Sequence, residues 1–274
     1  MSNLNSTKPK PPDPTLHHPR ILCLHGGGVN AEVFRLQARA LIAKLSPYFR
    51  LVFADGPFFC DPGPGIVPVY EDYGPFRRWL RWLPDQQEVD ASTAVSEIEY
   101  CIENAVEADD LEGADGPWVG LLGFSQGAKV AASMLFRQQV RATKLGVQAA
   151  GSDWRFAVLL AGRAPLVSFE PELVMNKALV DASQISEGFA NIPDDWSLAG
   201  GDHILKLPTV HVHGLKDPGL HLHRRLMNQY CDPESTRLVE WDGEHRVPIK
   251  KTDVEAVVEK ILDLAKETGV LKGL

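Results

Sequence analysis

Residues 120–131 read GLLGFSQGAKVA, and the fold turns on how this stretch is read. Gly123, Ser125 and Gly127 make a Gly-x-Ser-x-Gly pattern. With 23 glycines in 274 residues, such a pattern arises by chance in roughly one chain of this kind in ten. The flanking sequence therefore has to decide. Before it, Trp118 to Leu122 is a short apolar run with the look of a buried strand. After it, Gln126 to about Gln139 is a run of small residues that suits a closely packed helix. A strand that turns sharply into a helix leaves the residue at its tip exposed and strained, and glycines two positions either side let neighbouring backbone pass close by.

The same alternation recurs along the chain. Arg20 to His25 is a nearly continuous apolar run that stops at Gly26, Gly27 and Gly28. Ala31 to Leu45 carries apolar residues at helical spacing and is closed by Ser46 and Pro47. Strands are expected at 50–54, 156–161, 208–213 and 237–241, and helices at 91–108, 220–230 and 253–265. Residues 57–89 and 163–206 lack periodicity. Six strands alternating with helices imply one α/β domain over residues 20–274, a mostly parallel six-stranded sheet with helices on both faces. The first 19 residues, rich in Pro, Asn, Lys and Ser, read as a disordered tail.

Composition narrows the function. The chain is 44% hydrophobic and 23% charged, with a formal charge of −8, which argues against a nucleic-acid partner. No run of apolar residues is long enough for a membrane span or a signal peptide, so a soluble cytoplasmic protein is expected. Cys23, Cys60, Cys101 and Cys231 form no C-x-x-C pair and read as reduced thiols. His211 and His213 share one strand face and could join His221 or His223 in a metal site, but no Cys or carboxylate cluster completes it at familiar spacing. Neither a metal nor an organic cofactor is called for.

In parallel sheets, ligands bind beyond the carboxyl ends of the strands. Three reactive residues fall at such ends. Ser125 follows the third predicted strand, Asp217 lies in the turn after 208–213, and His245 lies just after 237–241. A serine hydroxyl needs a base, and the base needs an orienting carboxylate. The order Ser, acid, His is that of α/β-hydrolases. Asp202, Asp232 and Asp242 compete with Asp217 for the acid, and His203 with His245 for the base. His203 has no strand to anchor it and is expected in solvent. His25-Gly26-Gly27-Gly28 matches the HGGG-type loop that supplies half of an oxyanion hole. Its donors are expected to be the backbone N–H groups of Gln126 and of Gly27 or Gly28. Of the aromatics that follow the second strand, Tyr73, Phe76 and Trp79 are the candidates for lining an acyl pocket, against the alternative that they roof the core. Arg77, Arg78 and Arg81 read as a solvated face.

Several stretches together carry a family resemblance: ILCLHGGGVNAEVFRLQ (21–37), ADGPF (54–58), GPGIVPVYEDYGPFRRWL (63–80), GFSQGA (123–128), HVHGLKD (211–217) and GEHRVP (243–248). From about residue 20 to 267 the chain resembles the fungal "family of serine hydrolases" type, relatives of the ovarian-cancer-associated hydrolases. The 63–80 stretch is similar to members in polyketide pathways, such as the lovastatin-pathway thioesterase. The resemblance implies an α/β-hydrolase with Ser125, Asp217 and His245 as its triad. It also implies thioester or ester hydrolysis on an acyl or polyketide substrate, free or held on a carrier protein. A small-ester carboxylesterase and a non-catalytic ligand-binding protein on the same fold are the alternatives. Residues 143–154 look longer than a minimal helix-to-strand connection, a departure that bears on pocket size.

Overall fold

The computed structural model describes residues 13–185 and 201–272. Its first strand shows how the sheet is built. β1 (Arg20–Leu24) is buried along its whole length, as a strand covered on both faces must be. Its side chains alternate between two cores. Leu22 and Leu24 join one apolar cluster with Leu121, Leu135 and Leu226. Ile21 and Cys23 join the other with Phe34, Leu122 and Ile261.

In chain order the elements are β1, α1 (Ala31–Gln37), α2 (Arg39–Leu45), β2 (Arg50–Ala54), β3 (Phe58–Cys60), β4 (Phe76–Arg78), α3 (Ala91–Leu111), β5 (Trp118–Phe124), α4 (Gln126–Leu145), β6 (Phe156–Leu160), β7 (Val167–Ser168), β8 (Val180–Asp181), β9 (Thr209–Gly214), α5 (Leu220–Tyr230), β10 (Thr236–Trp241) and α6 (Lys251–Glu267). The main sheet has the order β10-β9-β6-β5-β1-β2, and every neighbouring pair in it is parallel. This is an α/β-hydrolase architecture. Register aligns the carboxyl ends: Leu24 pairs with Ala54 and with Gly123, and Leu160 pairs with Phe124 and with Val212. The loops after five strands thus meet on one edge.

Three boundaries differ from expectation. The helix expected over 31–45 is two helices, bent at Ala38 (φ −87°, ψ 5°). The helix expected to end near Gln139 runs to Leu145, where Gly146 (φ +93°) breaks it, and much of the 143–154 segment is this extra turn and a short 3-10 turn at Val147–Ala149. The expected tail is also too long. Asp13 accepts a hydrogen bond from Arg50 Nη1 (2.8 Å), and a Cβ at Gly116 would lie 1.9 Å from the His18 carbonyl oxygen, so residues 13–19 are packed against the domain. Residues 1–12 of that tail, and 186–200 of the aperiodic 163–206 segment, lie outside the described residues. Among the described residues no helix is long and apolar enough to cross a membrane.

Candidate active site

The tight turn at GFSQGA is enforced by what its glycines touch. A Cβ on Gly127 would lie 2.1 Å from the Leu24 carbonyl oxygen, and one on Gly123 would lie 2.3 Å from the Gly127 carbonyl oxygen. α4 therefore starts hard against β1, and the chain must reverse within one residue. Ser125 takes that conformation, at φ +54° and ψ −113°. Its N–H donates to the Leu160 carbonyl (2.8 Å), which anchors the turn to β6. The side chain is left at the helix N-terminus, where the dipole favours developing negative charge.

Two further loops bring partners to it. The Ser125 hydroxyl donates to His245 Nε2 (2.9 Å), and His245 Nδ1 donates to Asp217 Oδ2 (2.6 Å). Asp217 Oδ1 accepts the Gly219 N–H at 2.7 Å. Burial alone would push the Asp217 carboxyl up, but the His245 hydrogen bond and charge, with the Gly219 N–H, hold it below its ordinary value. The acid and histidine loops are also tied together by Leu215 N–H to Trp241 O (2.9 Å) and Lys216 N–H to Gly243 O (2.8 Å). The competing residues are elsewhere. Asp242 is exposed and pairs with Lys216 (2.8 Å), and Asp202 accepts from Asn176 (2.5 Å).

The family described as "Serine hydrolase (FSH1)" matches residues 15–257. The chain belongs to that family. It is a serine hydrolase, and its relatives carry esterase names. It is 57% identical over 259 residues to "Probable esterase tazC" of Aspergillus terreus, covering 94% of this chain and 97% of that protein. It is 54% identical to "Esterase citA" of Monascus ruber, covering 94% and 96%. Among solved structures, the Zea mays acyl-protein thioesterase 2 shares the fold at TM-score 0.53 and 15% identity, over 90% of this chain and 94% of that one. The Bacillus cereus carboxylesterase does so at TM-score 0.51 and 17% identity, over 90% and 89%.

Around Ser125 the hydrolase has a cavity of about 700 Å³. Two backbone N–H groups, from Gln126 at the first residue of α4 and from Gly27, face no acceptor among the described residues, and both residues line the cavity. Gly28 does not fill the role expected for it. Its N–H donates to the Arg77 carbonyl (2.9 Å), because the loop (φ +76° at Gly28) folds back onto β4 there. His25, at the head of the glycine loop, is a fastener: Nδ1 donates to the Gly26 carbonyl (2.7 Å) and Nε2 accepts the Gly56 N–H (2.8 Å). Its burial pushes the imidazole down to about 4, so it is neutral.

The aromatic stretch needs a larger correction. Trp79 is fully buried, its indole N–H donating to the His25 carbonyl (2.9 Å). Phe76 packs under the cavity with Val29, Val33 and Ile66, and Tyr73 lies against that cluster. None of the three lines the cavity; Ile66, Tyr70, Leu80, Trp82 and Leu83 do. The reason is a side chain whose part the sequence reading missed. Gln126 Oε1 accepts the N–H groups of Trp79 (2.7 Å) and Leu80 (3.1 Å), and its Nε2 donates to the Leu80 carbonyl (2.9 Å). That clamp fixes Trp79 and Leu80, and Trp82, whose N–H donates to Gln86 Oε1 (3.0 Å), lies over Gly27, where a Cβ would meet its ring at 2.7 Å. A polar side chain directly after the serine was the available signal.

Other histidines and arginines also differ from expectation. His203 is buried, in contact with the Gln229 carbonyl (3.2 Å) and edge-on to Tyr230. Arg78 is not solvated either: it is buried over the Phe58 ring (4.7 Å), with Nη2 donating to the Gln87 carbonyl. His211, His213 and His223 are fully buried, and no ring nitrogen of theirs has a hydrogen-bond partner among the described residues. Desolvation pushes them down to about 3, 4 and 3, so they sit as neutral rings. Among the described residues, the set that brings potential metal-ligand atoms within 4.8 Å of one another is Asp217, His223 and His245. Two of those three are already engaged with each other.

Proposed function

We propose that this hydrolase cleaves a thioester or ester of an acyl or polyketide substrate through an acyl-enzyme, in fungal secondary metabolism. The observation that carries the reading is the unbroken line from Ser125 Oγ through His245 to Asp217, opening onto the large cavity. Ser125 Oγ attacks the carbonyl while His245 Nε2 takes its proton. Asp217 fixes the histidine tautomer and stabilises the imidazolium. The N–H groups of Gln126 and Gly27 receive the oxyanion. His245 then gives its proton to the departing thiol or alcohol. Water enters, and the same base activates it to release the acid and restore the serine.

The substrate side of this proposal rests on the resemblance to polyketide-pathway hydrolases and on the esterase names of relatives from Aspergillus and Monascus. Delivery on a carrier protein and a cytoplasmic site of action belong to the same proposal. A fluorophosphonate probe tests the nucleophile: wild type labels covalently and Ser125→Ala does not. Equal labelling of the two, or none of wild type, overturns the assignment, and none of wild type is what a non-catalytic binder would give. A graded series of 4-nitrophenyl esters run beside matched acyl thioesters tests the leaving group. A rate confined to short esters favours the small-ester carboxylesterase instead.

A further inference from the structure

By sequence, His211 and His213 pair with His221 or His223 as candidate metal ligands. The fold breaks that set and builds another. His223 lies near the start of α5, just past the acid loop, with its N–H bonded to the Gly219 carbonyl (3.2 Å). Its side chain is fully buried, and neither ring nitrogen has a hydrogen-bond partner among the described residues. Buried polar groups are rarely left so. Its Nε2 is aimed at Asp217 Oδ2, the oxygen that already accepts from His245 Nδ1.

The spacing is that of shared ligands rather than of a hydrogen bond. His223 Nε2 lies 3.6 Å from Asp217 Oδ2, too far for a hydrogen bond. Two ligands of one tetrahedral zinc ion, each bound at about 2.0–2.2 Å, lie about 3.4 Å apart. One ligand atom from each of Asp217, His223 and His245 falls within 4.8 Å of the others. The His245–Asp217 pair, at 2.6 Å, needs to open by only about 1 Å to complete the set. Two imidazoles and a carboxylate are donors that suit zinc and leave its fourth position to water. His245 is the accessible member, its side chain 31% exposed, and it lines the cavity, so an ion reaches the set from there. Arg163 is packed against Gly219, and its charge limits the hold on a cation, which keeps binding reversible.

We propose that Asp217, His223 and His245 form an inhibitory zinc site, which switches the triad off by occupying His245 Nδ1. The proposal rests on the reading of that triad as the hydrolytic machinery. As zinc binds, the Nδ1 proton of His245 leaves to solvent and Nε2 takes one from solvent, so the ring stays neutral. His223 likewise carries its proton on Nδ1, away from the ion. A protonated Nε2 has no lone pair for the Ser125 hydroxyl, and Asp217 holds the ion instead of orienting the base.

The test follows hydrolysis of a 4-nitrophenyl ester as zinc chloride is added at about pH 7.5, where an ordinary imidazole is neutral. Zinc inhibits the wild type, EDTA restores the rate, and magnesium, which prefers oxygen ligands, has no effect. Measured against each protein's own zinc-free rate, the half-inhibiting concentration rises at least about tenfold in His223→Phe and in His223→Gln. Calorimetry shows the matching loss of one bound zinc. The glutamine variant keeps a polar group in the site and decides the matter if the phenylalanine variant does not fold. Full wild-type activity in about 1 mM zinc overturns the proposal. So does equal inhibition of the wild type and a folded variant, which places the ion elsewhere. Fluorophosphonate labelling without metal separates the two levels: labelled enzyme that zinc leaves active removes this proposal alone, and unlabelled enzyme removes both.

Discussion

The backbone at Ser125 makes a claim about stability that two substitutions can isolate. Ser125 is held at φ +54°, ψ −113°, a conformation that costs a non-glycine residue about 1–3 kcal/mol. Ser125→Ala and Ser125→Gly both delete the Oγ–His245 hydrogen bond, so that loss cancels between them. They differ in the Cβ. Glycine relieves the strain but costs about 0.5–1 kcal/mol in extra unfolded-chain freedom. Ser125→Gly is therefore more stable than Ser125→Ala by about 0–2.5 kcal/mol, with a central value of about 1 kcal/mol or roughly 2–4 °C in Tm for a chain of this size. Thermal unfolding of the two proteins in one buffer, followed by circular dichroism, measures it. Both are inactive toward a 4-nitrophenyl ester. If Ser125→Gly melts below Ser125→Ala, the strain at the turn is smaller than the glycine cost of about 0.5–1 kcal/mol, and the strain reasoning is refuted.

Other consequences are simpler to state. Gly127→Ala places a methyl against the carbonyl oxygens of Leu24 (2.1 Å) and His25 (2.5 Å); it costs about 3 kcal/mol or more in urea unfolding, and an unchanged midpoint contradicts the contact. Gln126→Leu removes the three hydrogen bonds to Trp79 and Leu80, so KM rises more than kcat falls and proteolysis within 79–88 quickens. Intact KM and unchanged proteolysis mean the clamp does not shape the wall. The four buried neutral histidines, His25, His211, His213 and His223, are pushed down to about 3 or 4 in the fold against an ordinary value near 6.5. Their neutral burial is no handicap above pH 6.5, and the unfolded chain gains protons that the fold refuses as pH drops toward 4. Stability falls by about 2 kcal/mol per ring at pH 5, and a urea midpoint that stays constant from pH 7 to pH 5 would falsify it.

What the sequence discloses and what it hides follow different physics. The sheet was legible because strands buried on both faces must be apolar with little interruption, as Ile21 to Leu24 and Phe156 to Leu160 are. The placing of Ser125, Asp217 and His245 was legible because reactive residues at parallel-strand ends converge whatever the loops do, provided the register holds. The cavity wall was not legible for the complementary reason. Residues 57–89 have no period, so nothing local says which way Phe76, Trp79 or Trp82 points. The choice is made from outside, by Gln126 on α4 and by Gly27, which leaves room for the Trp82 ring.

The same rule accounts for His203 and Gly28. His203 is drawn inside by Gln229 and Tyr230, residues 26 and 27 positions away in sequence. The Gly28 N–H is consumed by Arg77, 49 positions away. Each is a contact between an aperiodic segment and a distant element, and composition holds no trace of such contacts. The cavity lining belongs to this class as well. Arg39, Lys129, Arg163, Arg225 and Arg246 are scattered through a chain of net charge −8, and only the fold gathers them around one serine. Reactive chemistry needs few residues at fixed structural positions and so leaves a motif. Selectivity is distributed over many loops and leaves none, so the choice of acyl group must be sought in the wall.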